Sequence, residues 1–209
     1  MTIYNDSLSQ YITTTFAAED AALRHIREIG PQKGLPQISV RPEEGRFLQF
    51  LARAVGATRA VEIGTLGGYS GTWIARGLAP GGSLISLEMS EKHAQVAREH
   101  FQLAGVAERV QVRVGDAHDL LPTLAGPFDF VFIDAEKSGY PAYVEWAATA
   151  LRPGGVMAAH NAFRGGALLE SAEADSVILR TLWAQLAADP RWLATLYPGG
   201  DGMAVAVRV

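Results

Sequence analysis

Short apolar runs punctuate this chain from residue 59 onward, and between them apolar positions recur at helical spacing. The runs predict strands over 60–63, 83–87, 110–114, 128–133 and 156–159. The spacing predicts helices between them, over 70–78, 91–104, 120–124 and 140–151. Such alternation means a parallel sheet covered by helices on both faces. A further helix over 173–187 leads to two strands, 193–197 and 203–209. The segment between them, Pro198-Gly199-Gly200-Asp201-Gly202, suits an antiparallel hairpin at the sheet edge. Ahead of the alternating region, 8–29 reads as one helix stopped at Gly30-Pro31. A second helix follows over 42–55, with Pro42 at its start, Glu43 and Glu44 in its first turn, and Phe47, Leu48, Leu51 and Val55 on one face. The expectation is one α/β domain over 1–209 with a doubly wound, mostly parallel seven-stranded sheet. It divides into a helical N-terminal extension (1–55) and a core that binds a cofactor (56–209).

Composition sharpens this picture in three ways. With 209 residues, 48% hydrophobic and 19% charged, the chain can bury a sizeable core. It has no cysteine, which removes disulfides, thiolate metal sites and a cysteine nucleophile. Its formal charge of −4, with no basic stripe, argues against nucleic acid as a partner. The first ten residues are polar and no apolar run approaches the roughly 20 residues that span a bilayer, so neither a signal peptide nor a membrane partner is expected. A cytoplasmic location is the default.

The sharpest local feature is Val61-Glu62-Ile63-Gly64-Thr65-Leu66-Gly67-Gly68-Tyr69-Ser70, a strand running through a glycine-rich turn into a helix. Ligands of open α/β sheets bind beyond such strand ends. The spacing of Gly64, Leu66 and Gly67 breaks the dinucleotide pattern G-x-G-x-x-G. Glu62 beside the loop disfavours a pyrophosphate and favours a cationic ligand group. Glu88, ending the next strand, is placed to accept from both hydroxyls of a ribose. A ligand with a ribose, a positive charge and no phosphate is S-adenosylmethionine. The bland alternative, a turn that only packs strand on helix, is weakened by the two carboxylates.

These residues bring a family into view. The chain resembles class I S-adenosylmethionine-dependent O-methyltransferases of the catechol and caffeoyl-CoA O-methyltransferase family. The likeness runs from about Ile38 to the C-terminus. Its segments are Val61–Ser70, Ala104-Gly105-Val106, Gly115-Asp116-Ala117, Phe128–Lys137, Tyr140 with Tyr143, Leu151–Gly155, Asn161, Asp189-Pro190-Arg191 and Asp201-Gly202. The resemblance implies a Rossmann-like fold and transfer of a methyl group to a small-molecule acceptor, with vicinal dihydroxy-aromatics leading. It also implies a homodimer. Carried over by position, it puts Glu62, Gly64, Thr65 and Ser70 around the methionine part of the cofactor and Val40 over it. Glu88 falls at the ribose, Ala117 at the adenine with Asp116 and His118 as neighbours, and Asp134 where cofactor and metal meet. Lys137 falls on the proposed general base.

One position departs from the family pattern. Where the family ends its fifth strand in Asp-Asn, this chain has His160-Asn161. The implied metal set becomes Asp134, His160 and Asn161. Mg²⁺ prefers oxygen ligands and is less favoured here, whereas imidazole suits Mn, Fe, Co, Ni or Zn. Three readings stand open: a transition metal held by His160; no metal, with His160 as a catalytic base near the acceptor hydroxyl; or His160 filling space in a weakened site. A cofactor-binding protein that has lost methyl transfer is the corresponding alternative function. On spacing alone Lys137 reads as a solvated lysine paired with Glu136 or Glu145, and the resemblance reverses that. Trp73, Phe163, Trp183 and Tyr197 are aromatic candidates for the acceptor pocket, Phe163 ahead of the two tryptophans. Arg164 is placed either to meet an acidic substrate group or to stay solvated.

Overall fold

The computed structural model describes residues 4–209; the first three residues of the expected extension lie outside the described residues. The extension is α1 (Asp6–Phe16), α2 (Ala21–Ile29) and α3 (Pro42–Ala54). The core continues β1 (Arg59–Ile63), α4 (Tyr69–Gly77), β2 (Ser83–Glu88), α5 (Glu91–Leu103), β3 (Val110–Val114) and α6 (Ala117–Leu120). It closes with β4 (Phe128–Ile133), α7 (Tyr140–Ala150), β5 (Leu151–His160), α8 (Ala174–Ala188), β6 (Trp192–Tyr197) and β7 (Met203–Arg208).

The seven strands form one sheet in the order β3-β2-β1-β4-β5-β7-β6. The first five strands pair in parallel, and β7 runs antiparallel to both β5 and β6. Alternate residues of the central strands feed two cores. Val61, Ile63, Val131, Ile133, Met157 and Ala159 pack toward α7 and α8. Ala60, Phe130, Phe132, Val156 and Ala158 pack toward α2, α3 and α4. β4 is therefore buried along its whole length, which is why its sequence is a nearly continuous apolar run. Strand order reverses between β1 and β4, and the crevice beyond their carboxyl ends is where an open α/β sheet receives its ligand.

Three elements differ from the sequence expectation. The single helix over 8–29 is two helices, because Asp20 caps a new N-terminus by accepting from the Leu23 amide (2.9 Å). The helix over 120–124 starts earlier, at Ala117, where Asp116 caps it, and gives way to a 3-10 turn over Leu121–Thr123 that contains Pro122. Strand 156–159 extends to Leu151–His160, with a register shift opposite Phe128 and Phe130 that absorbs Pro153-Gly154-Gly155.

The extension docks through adjacent acids on α3. Glu43 is buried and accepts from the hydroxyls of Tyr4 (3.0 Å), Ser9 (2.5 Å) and Thr13 (2.9 Å), which ties α1 to α3. Glu44, one residue on, points instead into the core of the site described below.

At the opposite end of the sheet Asp129 pins β1. It accepts from the Thr58 amide and hydroxyl (both 2.8 Å), the Arg59 amide (2.9 Å) and Arg152 Nε (2.6 Å). Burial raises its pKa, but these donors outweigh burial and hold it down to about 2. A carboxylate depressed from 3.8 contributes stability above its unfolded pKa and loses it as pH falls through the folded value. Asp129→Asn is expected to cost roughly 2 kcal/mol at pH 7. Urea midpoints for wild type and variant should converge as pH is lowered from 4 toward about 2; a gap that persists there would show that ionisation is not the source.

Candidate active site

The loop after β1 needs its glycines. Gly64 has φ +97°, and a Cβ on it would strike the Asp134 carbonyl at the end of β4. Glycine here lets the two central strand ends approach, and it opens the loop onto a cavity of about 850 Å³. Gly68, at φ +79°, is the residue before α4.

Most of the expected site residues line this one cavity. Val40, Gly64, Thr65 and Ser70 line it from the loop side, Glu88 and Ala117 from the next strand ends, and Asp134, Lys137 and Asn161 from the far side. Glu62 and His160 do not line it. Glu62 is wholly buried beneath the loop, where it accepts from Ser70 Oγ (2.5 Å) and Ser86 Oγ (2.6 Å). Burial chiefly, with the charges of Asp134 and Glu88, pushes its pKa up to about 7 against those two hydrogen bonds. It braces the loop from below, and the Thr65 hydroxyl joins the same chain through Ser86 (2.5 Å). Glu88 braces it from the side: Oε2 accepts from the amides of Thr65 (3.2 Å) and Leu66 (2.8 Å), and Oε1 from that of Ser90 (2.9 Å).

Lys137 is buried, not solvated. Its Nζ donates to the Ala135 carbonyl (3.0 Å) and the Tyr140 hydroxyl (2.6 Å) and lies 3.8 Å from Asp134 Oδ1. The acids weighed as its surface partners are engaged elsewhere: Glu136 accepts from Tyr143, and Glu145 pairs with Arg191. Tyr140 is wholly buried, with the carbonyls of His160 (3.1 Å) and Ile133 (3.3 Å) in reach of its hydroxyl. Burial draws the Lys137 ammonium below its ordinary pKa, against the opposing charge of Asp134.

His160 sits between two carboxylates. Nε2 donates to Glu44 Oε1 (2.9 Å), while Nδ1 faces Asp134 Oδ2 at 3.3 Å without hydrogen-bond alignment. Burial opposes the charged form, but Asp134 and Glu44 outweigh it and push the imidazole up to about 10. Both nitrogens face carboxylates and the ring lies outside the cavity lining, so the proton-acceptor role weighed for His160 has no direct path to an acceptor hydroxyl.

The fit to a divalent ion turns on Nδ1, a buried polar atom with no hydrogen-bond partner, opposite a carboxylate oxygen. Two facing lone pairs require a cation between them, either a proton or a metal ion. The Glu44 contact leaves the other ring nitrogen protonated, as is usual for a metal-binding histidine. The Asn161 amide donates to Asp201 Oδ2 (3.0 Å), leaving its oxygen free. This mixed nitrogen and oxygen set suits an ion that accepts imidazole better than it suits Mg²⁺. It holds one histidine and one carboxylate only; among the described residues no three His, Cys, Asp or Glu side chains gather as a metal cluster.

The aromatic candidates lie elsewhere. Trp73 is core, Trp183 donates to the Ala162 carbonyl (3.2 Å), Tyr197 stacks on Phe47, and the Phe163 ring lies over Gly202. Tyr69 and Tyr143 line the cavity instead. Glu44 and Ser86 escaped the sequence reading. Glu44 is 116 residues from His160 and reads as an ordinary first-turn acid; only the pairing Glu43-Glu44, two acids where helix polarity needs one, hinted at more.

Sheet, braced glycine loop and strand-end carboxylate together define an α/β enzyme with a nucleoside-type cofactor site. The chain belongs to the O-methyltransferase family, whose profile matches residues 13–209, and so to the S-adenosylmethionine-dependent class it resembles in sequence. The catechol O-methyltransferase of Mycobacterium tuberculosis is 45% identical over 204 residues, covering 94% of this chain and 93% of that protein. That of Niastella koreensis is 40% identical over 213 residues, covering 97% and 96%. The crystal structure of an O-methyltransferase from Bacillus cereus in complex with SAH matches at TM-score 0.91 and 39% identity, over 97% of each chain. Among the described residues no helix is long and apolar enough to cross a membrane.

Proposed function

We propose that this enzyme transfers the methyl group of S-adenosylmethionine to one oxygen of a vicinal dihydroxy-aromatic small molecule, with Lys137 as the base. The observation that carries this is the hydrogen bonding of Lys137. A neutral amine has two hydrogens and one lone pair. Ala135 and Tyr140 take two hydrogens, which leaves the lone pair for the remaining direction beside Asp134. Lys137 lines the cavity, so an acceptor hydroxyl there meets a base partly desolvated for the task. The sulfonium methyl is already activated, so the protein's remaining work is to align the acceptor oxygen with it and exclude water. The Bacillus cereus relative, seen with SAH, and the two catechol O-methyltransferases support the cofactor and the acceptor class.

Asp134, His160 Nδ1 and Asn161 Oδ1 would hold a divalent ion. When bound, it would lower the pKa of the acceptor hydroxyls and fix their orientation. The test is S-adenosylmethionine with a catechol panel, with chelator and with Mg²⁺, Mn²⁺, Co²⁺ or Zn²⁺ added back, read by mass spectrometry. Methylated product is expected, with Mg²⁺ the weaker of the activating ions. Methylation of no catechol under any ion would reject the function. His160→Asp is expected to raise the response to Mg²⁺; an unchanged metal response would remove His160 from the metal site.

A further inference from the structure

The acceptor end of the cavity contains a second cation, Arg164, whose charge adds to burial in holding the Lys137 ammonium below its ordinary pKa. Arg164 lines the cavity with Lys137, Asn161 and Asp201. A guanidinium carries five N–H donors. Among the described residues none of them makes a hydrogen bond, and Nε is buried with no partner there. The nearest carboxylates, Asp175 at 3.4 Å and Glu173 at 3.6 Å, make loose ion pairs through Nη2 only, and Glu173 is exposed. A buried donor left without an acceptor is costly, and native proteins leave few of them.

The backbone that presents Arg164 is strained on purpose. Asn161 (φ +55°) and Arg164 (φ +53°) are non-glycine residues in the left-handed region, and two glycines follow them. Asp201 holds this bend. Its carboxylate accepts from the Asn161 side-chain amide (3.0 Å) and the Gly165 backbone amide (2.5 Å), and its carbonyl from the Phe163 amide (2.9 Å). Strain of this kind persists only where the surroundings fix it, and it gathers at ligand sites. Here it sets Arg164 on the cavity wall with Lys137 and Asn161.

We propose that Arg164 selects the acceptor by pairing with an anionic substituent, a carboxylate carried by the dihydroxy-aromatic ring or its side chain. The pairing rests on the methyl-transfer reading above. A planar guanidinium meets a carboxylate through two parallel hydrogen bonds, which fixes the direction of the ring as well as its affinity. With the carboxylate at Arg164, the hydroxyls are left to Asp134 and Lys137.

The test compares catechol, 3,4-dihydroxybenzoate and its methyl ester in wild type and in Arg164→Gln and Arg164→Lys, with calorimetry of S-adenosylmethionine as the control for folding. Wild type is expected to favour the acid over its ester by roughly 10–100-fold in kcat/KM, mostly through KM. Arg164→Gln should erase that preference by lowering use of the acid far more than use of the ester, leave cofactor affinity unchanged, and be partly rescued in Arg164→Lys. Equal use of acid and ester by wild type would overturn the role of Arg164 while leaving methyl transfer intact. So would an equal loss on acid and ester in Arg164→Gln. Failure of wild type on all three acceptors, under every ion tried, would reject the methyl-transfer reading and this inference with it.

Discussion

Lys137→Met lowers kcat by roughly 10²–10⁴-fold, the usual worth of a positioned general base, while the Kd for S-adenosylmethionine stays within about twofold. Methionine has a similar length and no charge, so it fits the buried path that the lysine stem follows past the Tyr140 ring. What disappears is the lone pair beside Asp134. With Lys137 as the proposed base, the wild-type rate requires the neutral amine and is expected to fall as pH drops through the pKa of Lys137. Burial sets that pKa below the ordinary 10.5 for lysine. In the variant this limb should be absent, and what activity remains should rise only with ionisation of the acceptor itself. Single-turnover kinetics across pH, with catechol and saturating cofactor, measures both effects. A kcat within tenfold of wild type, with the limb retained, would place the base elsewhere.

How much of this was legible in the sequence depends on how local each signal is. The parallel core was legible because its strands are short β-rich runs separated by helical stretches, β4 being buried along its whole length and nearly continuous in its apolar residues. The hairpin showed in the turn at Pro198–Gly202. The glycine-loop side of the cavity was legible, since a strand, a glycine turn and a helix lie consecutively in the chain. Glu62 shows the limit: its position marks the loop, but only the fold reveals that it faces Ser70 and Ser86 from underneath. The far side of the cavity, where the acceptor is proposed to bind, was less legible because it is assembled across the chain. Glu44 reaches His160 from the N-terminal extension, and Asp201 reaches back from the hairpin to Asn161 and Gly165. No periodicity links such residues. The break between α1 and α2 was missed for the opposite reason: the capping role of Asp20 is local, but the apolar spacing around it stays helical on both sides.

Glu88→Ala is expected to weaken S-adenosylmethionine binding by about 1–3 kcal/mol, the cost of removing a charged acceptor. That corresponds to a rise of roughly 5–150-fold in Kd. Two losses combine in that figure. A carboxylate offers about four acceptor sites. Three are engaged by the amides of Thr65, Leu66 and Ser90, and His93 Nδ1 lies 3.3 Å from Oε1, so the capacity left for a ribose hydroxyl at the cavity face is small and directional. Removing the side chain also frees Leu66, a non-glycine residue at φ +48° whose amide Glu88 holds. The loop then loses its lateral brace while Glu62 still supports it from below. Glu88→Gln separates the two contributions, because an amide oxygen still accepts from the loop but brings no charge to the ribose. Calorimetry should therefore rank wild type, Gln and Ala in falling affinity, with kcat at saturating cofactor nearly constant across the three. An unchanged Kd in Glu88→Ala would remove Glu88 from the cofactor site. An equal loss in Gln and Ala would assign the whole effect to charge at the ribose rather than to the loop.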